Sequence, residues 1–180
     1  MTGGKESARK LPSRDECIAI LQDSGCSEGV VRHCIAVSDL AVRIAKRCGA
    51  DVELVEAGSL LHDLGRSKSH GLDHAVIGVK IAKEKKLPES VVRIIERHIG
   101  GGIAKAEARR LGLPERDYIP KTLEEKIVSQ ADKLIANARR ITVKEAVGRF
   151  VRDGLPDSAL RILKNHEELS VLCRGNIDDI

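Results

Sequence analysis

The chain has 180 residues, of which 32% are charged and 42% apolar but only 1% aromatic, and its formal net charge is +4. That length suits one domain with a single sizeable core, and a core nearly free of aromatic residues must be Leu, Ile, Val and Ala, which favours packed helices over an aromatic-rich sandwich. No run reaches the roughly 18 to 20 apolar residues of a membrane span and the polar N-terminus has no signal-peptide core, so a soluble cytoplasmic protein with no membrane partner is expected.

Residues 1–12 are small, polar and charged, and are expected to form a mobile tail ahead of a single domain over 13–180. Ser13 and Glu16 have the spacing of a capping box, and the helix they open carries Cys17, Ile18, Ile20 and Leu21 up to Ser24-Gly25. A longer helix spans Ser27 to Gly49, with Val30, His33, Val37, Leu40, Ala41 and Ile44 on one face. The next starts near Asp51 and brings Leu60 and Leu61 up to His62-Asp63, followed by a basic, glycine-flanked loop from Gly65 to Gly71. A helix from Asp73 places His74, Ile77, Gly78 and Ile81 together. Another, opened by Pro88, places Val91, Ile94, Ile95 and His98 together before the flexible turn Gly100-Gly101-Gly102.

Residues 103–111 read as helix and 112–120 as a loop with two prolines. Thr122 and Glu125 form a second capping box, opening a helix with Val128, Asp132, Ile135 and Arg139 on one side; Thr142 and Glu145 form a third, and a last helix runs from Asp157 to about Cys173. No segment alternates with period two over a useful length, so the fold class is all-α, a bundle of about eight or nine helices. The five cysteines show no C-x-x-C pair, so reduced thiols, most of them in the core, are expected.

His33, His74, His98 and Asp132 each interrupt a mainly apolar helical face, and His62-Asp63 ends a fifth helix. A lone apolar-face histidine is commonly a satisfied core residue, as His166 beside Ile162, Leu163 and Leu169 illustrates, and a lone aspartate can be explained by an ion pair. Six such residues converging from five helices are harder to explain that way. Imidazole and carboxylate donors without thiolate suit Mn, Fe, Co, Ni, Zn or Mg, and six donors can hold two ions with one carboxylate bridging. Two such ions can activate a water and stabilise charge on a phosphoryl group. Arg66 and Lys68 follow the His-Asp pair, Lys133 adjoins Asp132, and Arg139 lies seven residues further on; these are the candidate phosphate contacts. The mild positive charge lacks the dense basic patches of a dedicated nucleic-acid binder, so a phosphorylated small molecule fits as well as RNA does. Monomer and homo-oligomer are both compatible with these features.

His33, Leu61-His62-Asp63-Leu64-Gly65, His74-Ala75-Val76-Ile77-Gly78, His98 and Ala131-Asp132-Lys133 resemble the H…HD…H…H…D pattern of the HD-domain metal-dependent phosphohydrolases over about residues 27–140. The resemblance implies an all-α HD-type bundle with helices 142–173 added. It implies that His33, His62, Asp63 and Asp132 bind a first divalent metal, and that His74 and His98 join Asp63 at a second. Asp63 and His62 would be catalytic, and a nucleotide or dinucleoside polyphosphate the substrate. The subgroup with HDIG-like signatures is the most similar. Its tetraphosphate hydrolases carry a His-Thr-Thr-Gly-like segment where this chain has His98-Ile99-Gly100-Gly101-Gly102, so the metal set carries over better than the substrate. HD domains that bind a nucleotide or RNA without turnover are the alternative.

Overall fold

A computed structural model describes residues 10–180. Nine α-helices are found among the described residues: α1 (Arg14–Asp23), α2 (Glu28–Cys48), α3 (Val52–Leu61), α4 (His74–Glu84), α5 (Glu89–Arg97), α6 (Lys105–Arg110), α7 (Leu123–Lys133), α8 (Val143–Arg152) and α9 (Pro156–Leu172). The boundaries follow from side-chain caps. Ser13, Thr122 and Thr142 each accept from the N–H three residues on, and the Glu at that position bonds back to the cap. Ser27 and Asp51 cap α2 and α3 in the simpler way, and Gly49, at φ 73°, stops α2 in a left-handed conformation open to glycine.

The most buried helix is α3, in which Val55 and every residue from Ala57 to Leu61 are inaccessible. It packs against α1, α2, α5 and α7. One apolar cluster joins α1, the first half of α2, α3, α4 and α5 through Leu21, Cys34, Leu60, Leu61, Val79 and Ile95. A second joins the far half of α2 to α7 and the end of α9 through Leu40, Ile44, Ile127, Ala131 and Leu169. Each fully buried aliphatic side chain contributes about 1.5–3 kcal/mol of transfer free energy, so these two clusters fix how the helices lie. A smaller third cluster packs the segment after α5, with Ile99, Ile103 and Tyr118 against Ala75 of α4.

Five expectations are corrected. Of the expected tail, residues 1–9 lie outside the described residues, and within 10–12 the side chain of Leu11 packs on the first cluster. The basic loop starts as a tight 3-10 turn, Leu64–Ser67. The triple-glycine turn is packed rather than loose: a Cβ on Gly101 would stand 2.6 Å from Ile162 Cγ1, and Gly100 to Gly102 all take positive φ. Helix α7 stops at Lys133, because Asn137 and Ala138 at positive φ turn the chain into a small hairpin pairing β1 (Ile135–Ala136) with β2 (Arg139–Arg140). Arg139 is therefore not on the helical face of Asp132. Finally, Cys48 and Cys173 form a disulfide, because the ends of α2 and α9 meet with Cα atoms 4.4 Å apart, while Cys17, Cys26 and Cys34 are free thiols.

Candidate metal centre

The six residues arrive from helix ends and from one helix flank. His33 projects from the second turn of α2, and His62 and Asp63 follow the last residue of α3. His74 opens α4, His98 follows the end of α5, and Asp132 is the penultimate residue of α7. Gly65 makes this convergence possible, since a Cβ there would lie 1.9 Å from His74 O and 2.6 Å from Gly78 N. Only a glycine lets the turn after Asp63 lie against the first turn of α4. The end of α5 is pinned to α7 by Arg97, whose Nη1 donates to both oxygens of the buried Glu125 at 2.8 and 2.9 Å, and by Ser129 Oγ donating to His98 O at 3.2 Å.

All six side chains meet. His33 Nε2 is 3.0 Å from Asp132 Oδ1, and His62 Nε2 is 3.5 Å from the same oxygen and 3.6 Å from Asp63 Oδ2. On the other side of Asp63, Oδ1 faces His74 Nε2 at 3.1 Å and His98 Nε2 at 3.5 Å, and those two nitrogens are 2.9 Å apart. His62, Asp63, His74 and His98 are almost wholly buried, while His33 and Asp132 border an open cavity.

The histidines share one further feature. The Nδ1 atoms of His62, His74 and His98 lie 2.6, 2.6 and 2.7 Å from the carbonyls of Ser59, Gly71 and Ile95, each three residues back. A carbonyl only accepts, so each Nδ1 carries a proton and each ring, when neutral, turns its Nε2 lone pair inward. Lone pairs then confront one another across His74 and His98 and confront Asp63 Oδ1, and the buried His62 Nε2 and Asp63 Oδ1 have no hydrogen-bond partner. Buried acceptors aimed at a common point require protons or cations between them. His33, His62 and Asp132, and again His62, Asp63 and His98, each offer donor atoms within 4.8 Å of one another. The donor set fits divalent cations.

Electrostatics agree. Burial would raise the Asp63 carboxyl, but the imidazoles of His62, His74 and His98 around it hold it well below its usual value. Burial opposes ionisation of Asp132 too, and the adjoining Lys133 ammonium, with His33 and His62, outweighs it. Burial would lower His62, yet the Asp63 charge raises it well above 6.5, so a second proton and a cation compete for the same inward Nε2, whereas burial carries His98 down to about 4 and keeps its ring neutral. Both carboxylates are thus anionic.

A cavity of about 610 Å³ opens outward from His33, Asp63 and Asp132. Arg66 and Lys133 line it, each already engaged: Arg66 Nε donates to Asp63 Oδ2 at 2.6 Å, and Lys133 donates to Asp132 Oδ2. Lys68 and Arg139 are exposed and do not line it. His166 lies apart, with Nε2 3.0 Å from Asn176 Oδ1. Among the cavity residues not anticipated from sequence as part of a site are Arg32 on α2 and Arg149 and Phe150 on α8. The spacing Ala146, Arg149, Phe150 puts the latter two on one face with a buried alanine, but a helix's own sequence does not say which neighbour that face meets.

Fold and centre together define an all-α bundle around a buried His/Asp cluster suited to divalent cations. The HD domain family model matches residues 30–137, and the chain belongs to that family. It is 45% identical over 170 residues to a tRNA (cytidine(56)-2'-O)-methyltransferase of Picrophilus torridus, a match covering 94% of this chain and 50% of the relative, so the chain spans about half the length of that protein. It is 32% identical over 128 residues to ribonuclease Y of Finegoldia magna, covering 68% of this chain and 22% of that one. The HD domain of the L. monocytogenes phosphodiesterase PgpH, solved in complex with cyclic-di-AMP, matches with a TM-score of 0.53 at 18% identity over 88% of this chain and 93% of that one, a likeness of fold. No helix among the described residues is long and apolar enough to cross a membrane.

Proposed function

We propose that the chain is a metal-dependent phosphohydrolase that cleaves a phosphoester or phosphoanhydride of a nucleotide-type substrate. The observation that carries the reading is the convergence of inward-facing imidazole lone pairs on two ionised carboxylates beside an open cavity. His33, His62, Asp63 and Asp132 hold one divalent cation, and His74 and His98, with Asp63, hold a second. Cations held there supply water activation and neutralise charge on a phosphoryl group. The protein supplies the rest. Backbone carbonyls fix the tautomers, Arg66 and Lys133 orient the carboxylates from outside, and both cationic side chains stand at the wall where a phosphate enters.

The match to half of a tRNA methyltransferase favours a second reading, an accessory HD module that binds a nucleotide or RNA without turnover. Metal analysis of the purified protein, followed by a panel of mononucleotides, dinucleoside polyphosphates and short RNAs with Mn, Ni, Co and Fe, separates the two. A product that appears with metal and disappears with chelator is expected. Saturable binding with no metal-dependent product from any of them would establish the accessory module instead.

A further inference from the structure

Among the cavity-lining residues, Phe150 is the one benzenoid ring, and it belongs to none of the three apolar clusters. It is half-buried on α8, in a chain with a single phenylalanine and a single tyrosine, and the tyrosine is sealed in the third cluster. Core packing therefore does not explain it. Beside it, Arg149 is the cavity cation without a carboxylate among the described residues: Arg66 and Lys133 are engaged at the metal centre, and Arg32 pairs with Glu28 at 3.4 Å. Helix α8 lies outside residues 30–137, the stretch that the HD family model matches.

We infer that Phe150 and Arg149 form a nucleoside subsite, in which a nucleobase stacks on the Phe150 ring and Arg149 holds a phosphate that is not being cleaved. The inference rests on the phosphohydrolase reading and names its substrate class, a phosphodiester that carries a nucleobase and a neighbouring phosphate. Stacking on one aromatic ring is tolerant of base identity, because every base presents a π-face, and an unpaired guanidinium at the same corner holds a phosphate in two-point geometry. The buried Ala146 one turn back, small on the same face, leaves room for the sugar.

The test uses the full chain with Mn and a dinucleotide containing 2-aminopurine, a terminal phosphate and a slowly cleaved phosphorothioate linkage. Fluorescence of 2-aminopurine falls when it stacks. The wild type is expected to quench it saturably; Phe150→Leu, which keeps apolar bulk without a ring, should lose the quenching and bind on the order of tenfold more weakly, and Phe150→Trp should restore both. Arg149→Ala should weaken binding of the phosphorylated dinucleotide and leave unchanged the weaker binding of the same dinucleotide without its terminal phosphate. Running a single 2-aminopurine within a short RNA in parallel distinguishes a free dinucleotide from an RNA end as the source. Unchanged quenching and affinity in Phe150→Leu, with a native thermal transition, overturns the subsite even if hydrolysis is intact. Ring-dependent quenching by a protein with no metal-dependent product supports the subsite and defeats the hydrolase reading alone.

Discussion

At the scale of single residues, the centre depends on which nitrogen of each imidazole faces inward. His62, His74 and His98 each surrender Nδ1 to the carbonyl three residues back, a bond available to a histidine at the end or start of a helix, where the ring folds over its own turn. That local bond pre-orients Nε2 before any ligand arrives, which reduces the reorganisation cation binding demands. His74 and His98 exceed the needs of one ion and lie on the far side of Asp63 from His33. A crystal grown with excess Mn should therefore show two anomalous peaks about 3.5–4 Å apart, and His74→Ala should lose one of them. Two peaks persisting in His74→Ala would remove His74 from the site.

At the scale of elements, the decisive contact is backbone against backbone, where Gly65 lies on the first turn of α4. Gly65→Ala forces a methyl group toward His74 O and Gly78 N, and neither backbone atom can move aside by changing a rotamer. The substitution is expected to lower stability by about 2 kcal/mol or more in urea denaturation and to weaken metal uptake by displacing His74. A variant as stable as wild type would show that the turn and α4 can separate freely. Much at this scale was legible in the sequence, because the helices advertise their starts: Ser13, Ser27, Asp51, Thr122 and Thr142 all cap where their side chains predict. The convergence of six polar residues was also legible: His33, His74, His98 and Asp132 interrupt apolar helical faces, and His62-Asp63 closes an apolar run. Arg139 was misplaced because apolar periodicity continues through Ile135, while the break depends on left-handed Asn137 and Ala138; Asn adopts that conformation more readily than most residues, but the alanine beside it gives no such signal. Glu125 reads as a cap and is one, but its long-range bond to Arg97 leaves no trace in local pattern.

At the scale of the whole molecule, the ends of α2 and α9 are joined by the Cys48–Cys173 disulfide across 125 residues. Closing so long a loop restricts the unfolded chain, and reduction should lower the stability to urea by up to about 4–5 kcal/mol. The remaining thiols complete the measurement. Burial pushes Cys17 up to about 12 and Cys26 up to about 11, and burial raises Cys34 as well. All three are protonated at pH 8, so the native protein should resist alkylation there and react once unfolded. Equal stability with and without reductant would mean that apolar packing alone holds the two ends together. The same closure ties the end of α9, against which α8 packs, to α2, so the α8 wall of the cavity belongs to a part of the chain beyond the family match.

The central claim is that this cluster holds divalent metal through Asp63, which stands between the two groups of imidazoles. Metal content of the purified wild type and of Asp63→Ala, each determined per folded chain, tests it most directly, because the substitution deletes a shared anion while leaving all four histidines in place. Stoichiometric metal in the wild type and its loss in Asp63→Ala is the expected result. Full metal content in Asp63→Ala would contradict it, and would leave Asp63 as the ion-pair partner of Arg66 and nothing more.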